Sequence, residues 1–355
     1  MKIVKKILLG IGIVLVTLIV VFVGFIIFST ATTLKVKDIE SMEISGESEE
    51  VLTLNNNIKL LTWNIGYSAL DEEMDFYLDG GVNSLGESEE KVIENMNSIM
   101  SQISSVNPNI FFIQEIDVKS KRSYRVNELS SFIERFSNYE SSYACNFKAG
   151  FIPIPIYSPM GIVEGGITTF SRYHLSSSDR IQLPIPFSWP VSLLNLKRCL
   201  LVNRISISGS NKELVLINLH LEAYDDGEGK AKQLKQLMDI MEEELNKGNY
   251  VIAGGDFNQT FSEDFLIKYP KMNDWVCPII DTSEYSNFSF LMDDTHPTCR
   301  SLNKPYYNSD KATHQYYMLD GFIVSNNVEI VSYETINLDF KNTDHNPVLL
   351  NFILR

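Results

Sequence analysis

The chain has 355 residues, 44% of them hydrophobic, with 30 Lys and Arg against 45 Asp and Glu and a formal net charge of −15. That length can bury a large core, and the acidic balance argues against a broad electrostatic grip on nucleic acid, which comes mostly from Lys and Arg on phosphates; a nuclease with a local basic groove stays open. Cys145, Cys199, Cys277 and Cys299 lack the spacing of a metal finger; outside the cytoplasm they could pair in any of about three ways, with buried free thiols as the equal alternative.

Lys2, Lys5 and Lys6 lead into Ile7 to Phe28, 22 residues without a charge. A spanning helix needs roughly 20 apolar residues, and the lysines favour keeping the short N-terminus inside. The expectation is a cytoplasmic stretch at 1–6, a transmembrane helix at 7–28 and a single-pass cell-membrane protein whose remainder is extracytoplasmic. A cleaved signal peptide ending near Ser29-Thr30-Ala31 is the rival, but its apolar core is usually only about 7–15 residues. Residues 29–57 are polar, with Glu47, Glu49 and Glu50 close together, and read as a tether. Residues 58–355 remain as one α/β domain.

Within that domain, Lys59 to Ile65 alternates as a first strand with Asn64 near its end. Apolar residues from Val92 to Ile103 recur at helical spacing inside Glu89 to Val106, and Asn107-Pro108 stops the helix. Asn109 to Glu115 is a second buried strand ending in an acid. A helical stretch near Glu128 to Phe136 precedes strands at Gly165 to Arg172, Cys199 to Ser206 and Leu214 to Leu221. The last of these places His220 and Glu222 on one face. Lys230 to Asn246 is an amphipathic helix capped by Gly248, leading into Val251 to Gln259. There Val251 and Ile252 suit a core strand, Gly254 and Gly255 permit close approach, and Asp256 and Asn258 point one way while Phe257 points back into the core. Leu319 to Val324 and Val348 to Ile353 close the domain, with Asn342 to Pro347 as the loop before the last strand. Many strands and few long helices imply sheet packed on sheet with helices outside.

The polar residues at these strand ends are Asn64, Glu115, His220, Asp256, Asn258, Asp320, Asp344 and His345. Acids and amides of this kind are oxygen ligands for a hard cation such as Mg²⁺, with Mn²⁺ as the alternative. Singly, each is an ordinary turn former or structural histidine; eight at strand ends are hard to explain that way. In their motifs, Thr62-Trp-Asn64, Ile113-Gln-Glu115, Asn218-Leu-His220, Gly255-Asp-Phe-Asn258, Leu319-Asp-Gly321 and Thr343-Asp-His-Asn-Pro347, the chain resembles the endonuclease/exonuclease/phosphatase superfamily, which includes DNase I, abasic-site endonucleases, sphingomyelinases and inositol polyphosphate phosphatases. The resemblance spans nearly all of 58–355 and implies a four-layer α/β sandwich, two mixed sheets face to face with helices outside. It also implies roles. Glu115, assisted by Asn64 and Asp344, would hold the cation; Asp256 would orient or deprotonate the attacking water; Asn258 would hydrogen-bond the phosphate. His345 would be paired with Asp320, and His220 would donate to the phosphate or the leaving oxygen.

Two features depart from that pattern. Phe151 to Pro159 and Gln182 to Pro190 are apolar, proline-rich insertions that either lie on lipid beside the anchor or pack as loop cover; cover is the expectation, since such segments most often find protein to bury against. Lys119, Lys121, Arg122 and Arg125, with Lys197-Arg198 on the other side, either hold a phosphate or stand solvated. The sequence therefore leads to a membrane-anchored, Mg²⁺-dependent phosphoesterase acting on a phosphodiester, lipid or small organic phosphate. An extracellular DNase-like nuclease is the runner-up, with nucleic acid a possible but unfavoured partner. A non-catalytic scaffold that kept the fold is the rival of another class.

Overall fold

The computed structural model describes residues 2–225, 227–272 and 275–355. Its elements are α1 (Lys2–Thr32), β1 (Ile39–Ser41), β2 (Ile44–Ser45), β3 (Asn57–Asn64), α2 (Glu89–Val106), β4 (Ile110–Asp117) and α3 (Glu128–Arg135). Next come β5 (Glu140–Ile152), β6 (Gly161–Ser171), β7 (Ser177–Gln182), β8 (Cys199–Ser206), β9 (Glu213–His220), α4 (Glu228–Asn246) and β10 (Tyr250–Asp256). The chain finishes with α5 (Glu263–Lys268), β11 (Phe288–Leu291), β12 (Cys299–Arg300), β13 (Tyr316–Tyr317), β14 (Asp320–Ser325), β15 (Val328–Thr335) and β16 (Val348–Leu354).

Two mixed seven-stranded sheets form the body, one in the order β15-β16-β3-β4-β6-β5-β2 and the other β1-β7-β8-β9-β10-β14-β11. Alternation along the strands sorts their side chains into three apolar layers. Leu60, Phe112, Leu216, Ile252 and Phe322 meet between the sheets. Leu61, Trp63, Phe111 and Ile113 face Ile99 and Ile103 of α2 and Phe132 of α3. Val215, Ile217, Val251 and Ile323 face Leu237, Met238 and Met241 of α4. Helix, sheet, sheet, helix is the four-layer sandwich that the resemblance implies.

Local chemistry sets the helix ends. The Ser88 side chain accepts from the Lys91 N–H at the start of α2, where Glu89 and Glu90 face the helix dipole, and Asn107 leaves it at φ 53°. Gly248, at φ +83°, takes the left-handed turn after α4 and donates its N–H to the Leu245 carbonyl.

Two expectations need correction. Residues 29–57 are not a free tether: β1 pairs with β7, β2 pairs with β5, and Leu52 is buried in the inter-sheet core. Both sheets have edges that even a short polar strand can pair, and that outweighs the lack of apolar periodicity. The proline-rich insertions are loop cover only at their bases, where Ile152 and Leu183 are buried, because at their tips Ile156 is 89% exposed, Tyr157 71% and Trp189 67%. All four cysteines are free thiols.

Candidate active site

Three strands end in one row. β9 and β10 run parallel and pair His220 with Asp256, while antiparallel β14 pairs Asp320 with the same Asp256. These side chains continue the inter-sheet face that carries Leu216, Ile252 and Phe322 further down the same strands. Gly255 makes the row possible: at φ +146° its backbone lies so close to β9 that a Cβ would stand 1.9 Å from the Leu219 carbonyl oxygen.

The facing sheet supplies Asn64 at the end of β3 and Glu115 near the end of β4. By alternation Glu115 would share a face with Ile113, which packs on α2 and α3. A register shift between Ile113 and Ile116 interrupts the ladder, and Glu115 sits there at φ 56°. This bulge turns the carboxylate toward the second sheet, 3.9 Å from His220 Nε2. Gln114 meanwhile stays buried and donates to Asn218 Oδ1 across the sheets (2.8 Å). The Asn64 amide joins the two acids, its Nδ2 donating to Glu115 Oε1 (3.3 Å) and to Asp256 Oδ2 (3.1 Å) while its Oδ1 accepts the Gly66 N–H. In this orientation Asn64 positions carboxylates; offering its oxygen to a cation requires the amide to turn over.

The loop before β16 brings Asp344 and His345, anchored by Trp63 Nε1 donating to the His345 carbonyl (2.9 Å). His345 Nδ1 lies 2.8 Å from Asp320 Oδ2, and its Nε2 looks toward Asp256 (3.8 Å) and Asp344 (4.0 Å). Asp256 is thus the centre, with His220 Nε2 3.3 Å away and the Asn258 N–H donating to its Oδ1 (2.9 Å).

The two histidines are driven apart in protonation. Burial pushes His220 well below the ordinary histidine range, helped by the charges of Arg198 and His345. Burial also works against the His345 cation, but the Asp320 carboxylate outweighs it and the ring is held well above that range. Burial first, then neighbouring carboxylates, raises both Asp256 and Asp344 to about 6. Asp320 Oδ1 is buried without a hydrogen-bond partner. Crowded carboxylates with an orphaned oxygen fit a divalent, oxygen-liking cation. Asp256, Asp320 and His345 offer three ligand atoms within 4.8 Å of one another, as do Cys299, Asp344 and His345.

All eight residues singled out in the sequence meet at this edge, Asn258 through its backbone bond to Asp256 and its amide on the Leu221 carbonyl (3.0 Å). Glu222 lies past the end of β9, its Oε1 accepting the Ala223 and Tyr224 N–H groups. In the first basic cluster Lys119, Lys121 and Arg125 are exposed, whereas Arg122 is buried in an ion pair with Asp117 (2.9 Å) and stacks on Tyr67. Arg198 is different. It is buried with Nε and Nη1 unbonded, 3.6 Å from Glu222 Oε2, and its charge acts on His220. Cys299, which bridges to His345, gave no signal in the sequence.

Crowded acids, two histidines pushed to opposite sides of the ordinary range and a buried arginine with two unbonded nitrogens gather at one sandwich edge. The sequence matches the model of the Endonuclease/Exonuclease/phosphatase family over residues 61–338, and the chain belongs to that family, whose members are generally hydrolases of phosphoesters. The fold is similar to an endonuclease/exonuclease/phosphatase from Beutenbergia cavernae (14% identity, 84% of this chain and 72% of that one, TM-score 0.55). It is also similar to the human Nocturnin catalytic domain with bound sulfate (16%, 88% and 97%, 0.54). A third likeness is to TDP2 from D. rerio complexed with a single-strand DNA product (15%, 84% and 99%, 0.52). A search of curated protein sequences finds no match.

Proposed function

We propose that the chain is a membrane-anchored, Mg²⁺- or Mn²⁺-dependent hydrolase of a phosphodiester, a lipid or small organic phosphate, with its catalytic domain outside the cytoplasm. The observation that carries this reading is the position of Asp256, within 4 Å of both His220 and His345 and bonded to Asn64. Glu115 and Asp344 would hold the cation, and Asn64 would add its oxygen if the amide turns. When bound, the cation supplies charge neutralisation and Lewis-acid polarisation of the phosphoryl group. Asp256 takes the proton of the attacking water and is oriented for it by Asn64 and the Asn258 N–H. His345, kept cationic by Asp320, donates from Nε2 to a phosphoryl oxygen. His220, neutral, donates to the phosphate or the leaving oxygen, and Arg198 supplies a fixed positive charge beside it. The apolar stretch from Ile7 to Phe28 supports the anchor, since α1 runs for 31 residues with its apolar side chains outward.

The D. rerio relative's DNA product keeps a nuclease reading in view, and the net charge of −15 weighs against it. The test is hydrolysis by the purified full chain, with Mg²⁺ or Mn²⁺ against a chelator. Bis-p-nitrophenyl phosphate, p-nitrophenyl phosphate, plasmid DNA and choline or inositol phospholipids are offered in parallel, with Asp256→Ala as blank. Metal-dependent turnover of a diester, absent in the variant, supports the proposal; preferential cleavage of DNA supports the nuclease; no turnover of any class moves the chain to the scaffold reading.

A further inference from the structure

The anchor, the exposed apolar loops and the catalytic residues all lie at the same edge of the sandwich. β9 and β10 end there at His220 and Asp256. β8 is antiparallel to β9 and pairs Leu200 with Leu219, so it begins at that edge; β7 pairs Gln182 with Cys199 and ends there. The 183–198 insertion therefore rises from the catalytic edge. In the other sheet Asp117, two residues past Glu115, pairs with Gly165, and Ile152 pairs with Gly161. The 153–160 hairpin rises from the same edge, and β1, pairing Ile39 with Ile181, enters there from α1.

α1 is fixed to this edge as well. Ser29 is buried, the Leu34 N–H donates to the Lys148 carbonyl (3.1 Å), and Phe28 and Thr32 press on Gly150, where a Cβ would stand 2.8 Å from the Phe28 ring. The uncharged run from Ile7 covers about 33 Å at about 1.5 Å per residue, close to a hydrocarbon core of about 30 Å, and it ends at Phe28. Gly150 thus stands at the level where the apolar run stops. Beside it the two insertions hold Ile156, Tyr157, Trp189 and Val191 out to solvent, all more than half exposed. Tyr and Trp are the residues that settle at the boundary of lipid and water, and an apolar rim around a spanning helix has the bilayer as its occupant.

We infer that the catalytic edge faces the bilayer that α1 spans, with the two insertions seated in its interface, and that the substrate is a phosphodiester of a lipid headgroup in that leaflet. The substrate half rests on the proposed hydrolase reading. The reaction adds one water: a bond forms between phosphorus and the water oxygen, the bond from phosphorus to one ester oxygen breaks, and the products are a phosphomonoester and an alcohol. One water proton ends on the alcohol oxygen and the other stays with the monoester, so no redox partner is needed.

The experiment uses the full chain reconstituted in vesicles of equal parts phosphatidylcholine and phosphatidylglycerol, with and without lipids brominated near the headgroup end of the acyl chain. Alkaline extraction first establishes that the chain is integral, which tests the anchor alone. Trp189 fluorescence should then be quenched by the brominated lipid, and the quenched component should vanish in Trp189→Phe. An integral chain whose Trp189 is not quenched overturns the docking geometry. Lipid turnover is measured next to turnover of bis-p-nitrophenyl phosphate by the same samples. Ile156→Ser with Trp189→Ser is expected to lower lipid turnover roughly tenfold and to leave the soluble diester unchanged. Turnover of the soluble diester with none of any vesicle lipid overturns the lipid substrate, whereas turnover of neither overturns the hydrolase reading and leaves the geometry to be judged on quenching.

Discussion

The two ends of the space between the sheets are built from the same strands and the same faces, yet they hold opposite chemistry. At the closed end Leu60, Leu214, Leu216 and Ile252 make a dry core. Four residues further along the same faces, Asn64, Asn218, His220 and Asp256 take their places. Alternation decides which side chains enter the gap, and position along the strand decides whether they pack or react. The difference teaches where stability and activity should separate.

Asp256→Ala should break the reactive end most completely. Hydrolysis is expected to fall by on the order of 10²–10⁴, while the thermal midpoint holds or rises because one of several crowded carboxylates is gone. Parallel rate and melting measurements check both. Leu216→Ala, two residues along the face from Asn218, is the converse. Denaturant titration should show a loss of ~2–5 kcal/mol, with turnover per folded molecule unchanged.

Between the ends lies the bond from Gln114 to Asn218. Gln114→Leu strands the buried Asn218 oxygen and should cost ~1–3 kcal/mol, with a smaller effect on rate through the Glu115 bulge next to it. Comparing this loss with that of the Gln114→Leu/Asn218→Leu double variant tells an unpaired group from a lost cavity fit. The smallest effect lies outside the gap, where Glu244 meets Arg204 (2.7 Å). Burial raises the Glu244 carboxyl, but bonds from Arg204, Lys247 and Asn249 outweigh it and hold the group at about 2, below its usual 4.5. A depressed carboxylate stabilises the fold above its unfolded value. The advantage over Glu244→Gln, at most ~1 kcal/mol, should be complete above about pH 4.5 and disappear as pH falls toward 2, as read by urea midpoints across that range.

Much of this was legible in the residues. The Val251 to Gln259 stretch carried its own geometry, with Phe257 buried toward α4 and Asp256 in the gap, because a strand's alternation is local. The helix at Glu89 to Val106 was equally plain, since its apolar period and Asn107-Pro108 stop are local too. Glu115 was found as an acid at a strand end, but its direction was not, because a bulge depends on the neighbouring strand. The 13 residues of β5 and the strands β7, β11 and β15 went unread because their burial patterns are irregular, and the pairing of β1 and β2 because their partners β7 and β5 are far away in sequence. Arg198 could be noticed only as one half of a basic pair. Its place at the catalytic edge, just before β8 begins beside the end of β9, and its two unbonded nitrogens depend on the register of strands brought together only by folding.

The measurement closest to the central claim is the metal dependence of bis-p-nitrophenyl phosphate hydrolysis by the wild type and by Glu115→Gln. The wild type should turn over with Mg²⁺ or Mn²⁺ and stop with chelator, and Glu115→Gln should need a much higher metal concentration for whatever rate it retains. A Glu115→Gln variant with the wild-type rate and the wild-type metal requirement would contradict the account.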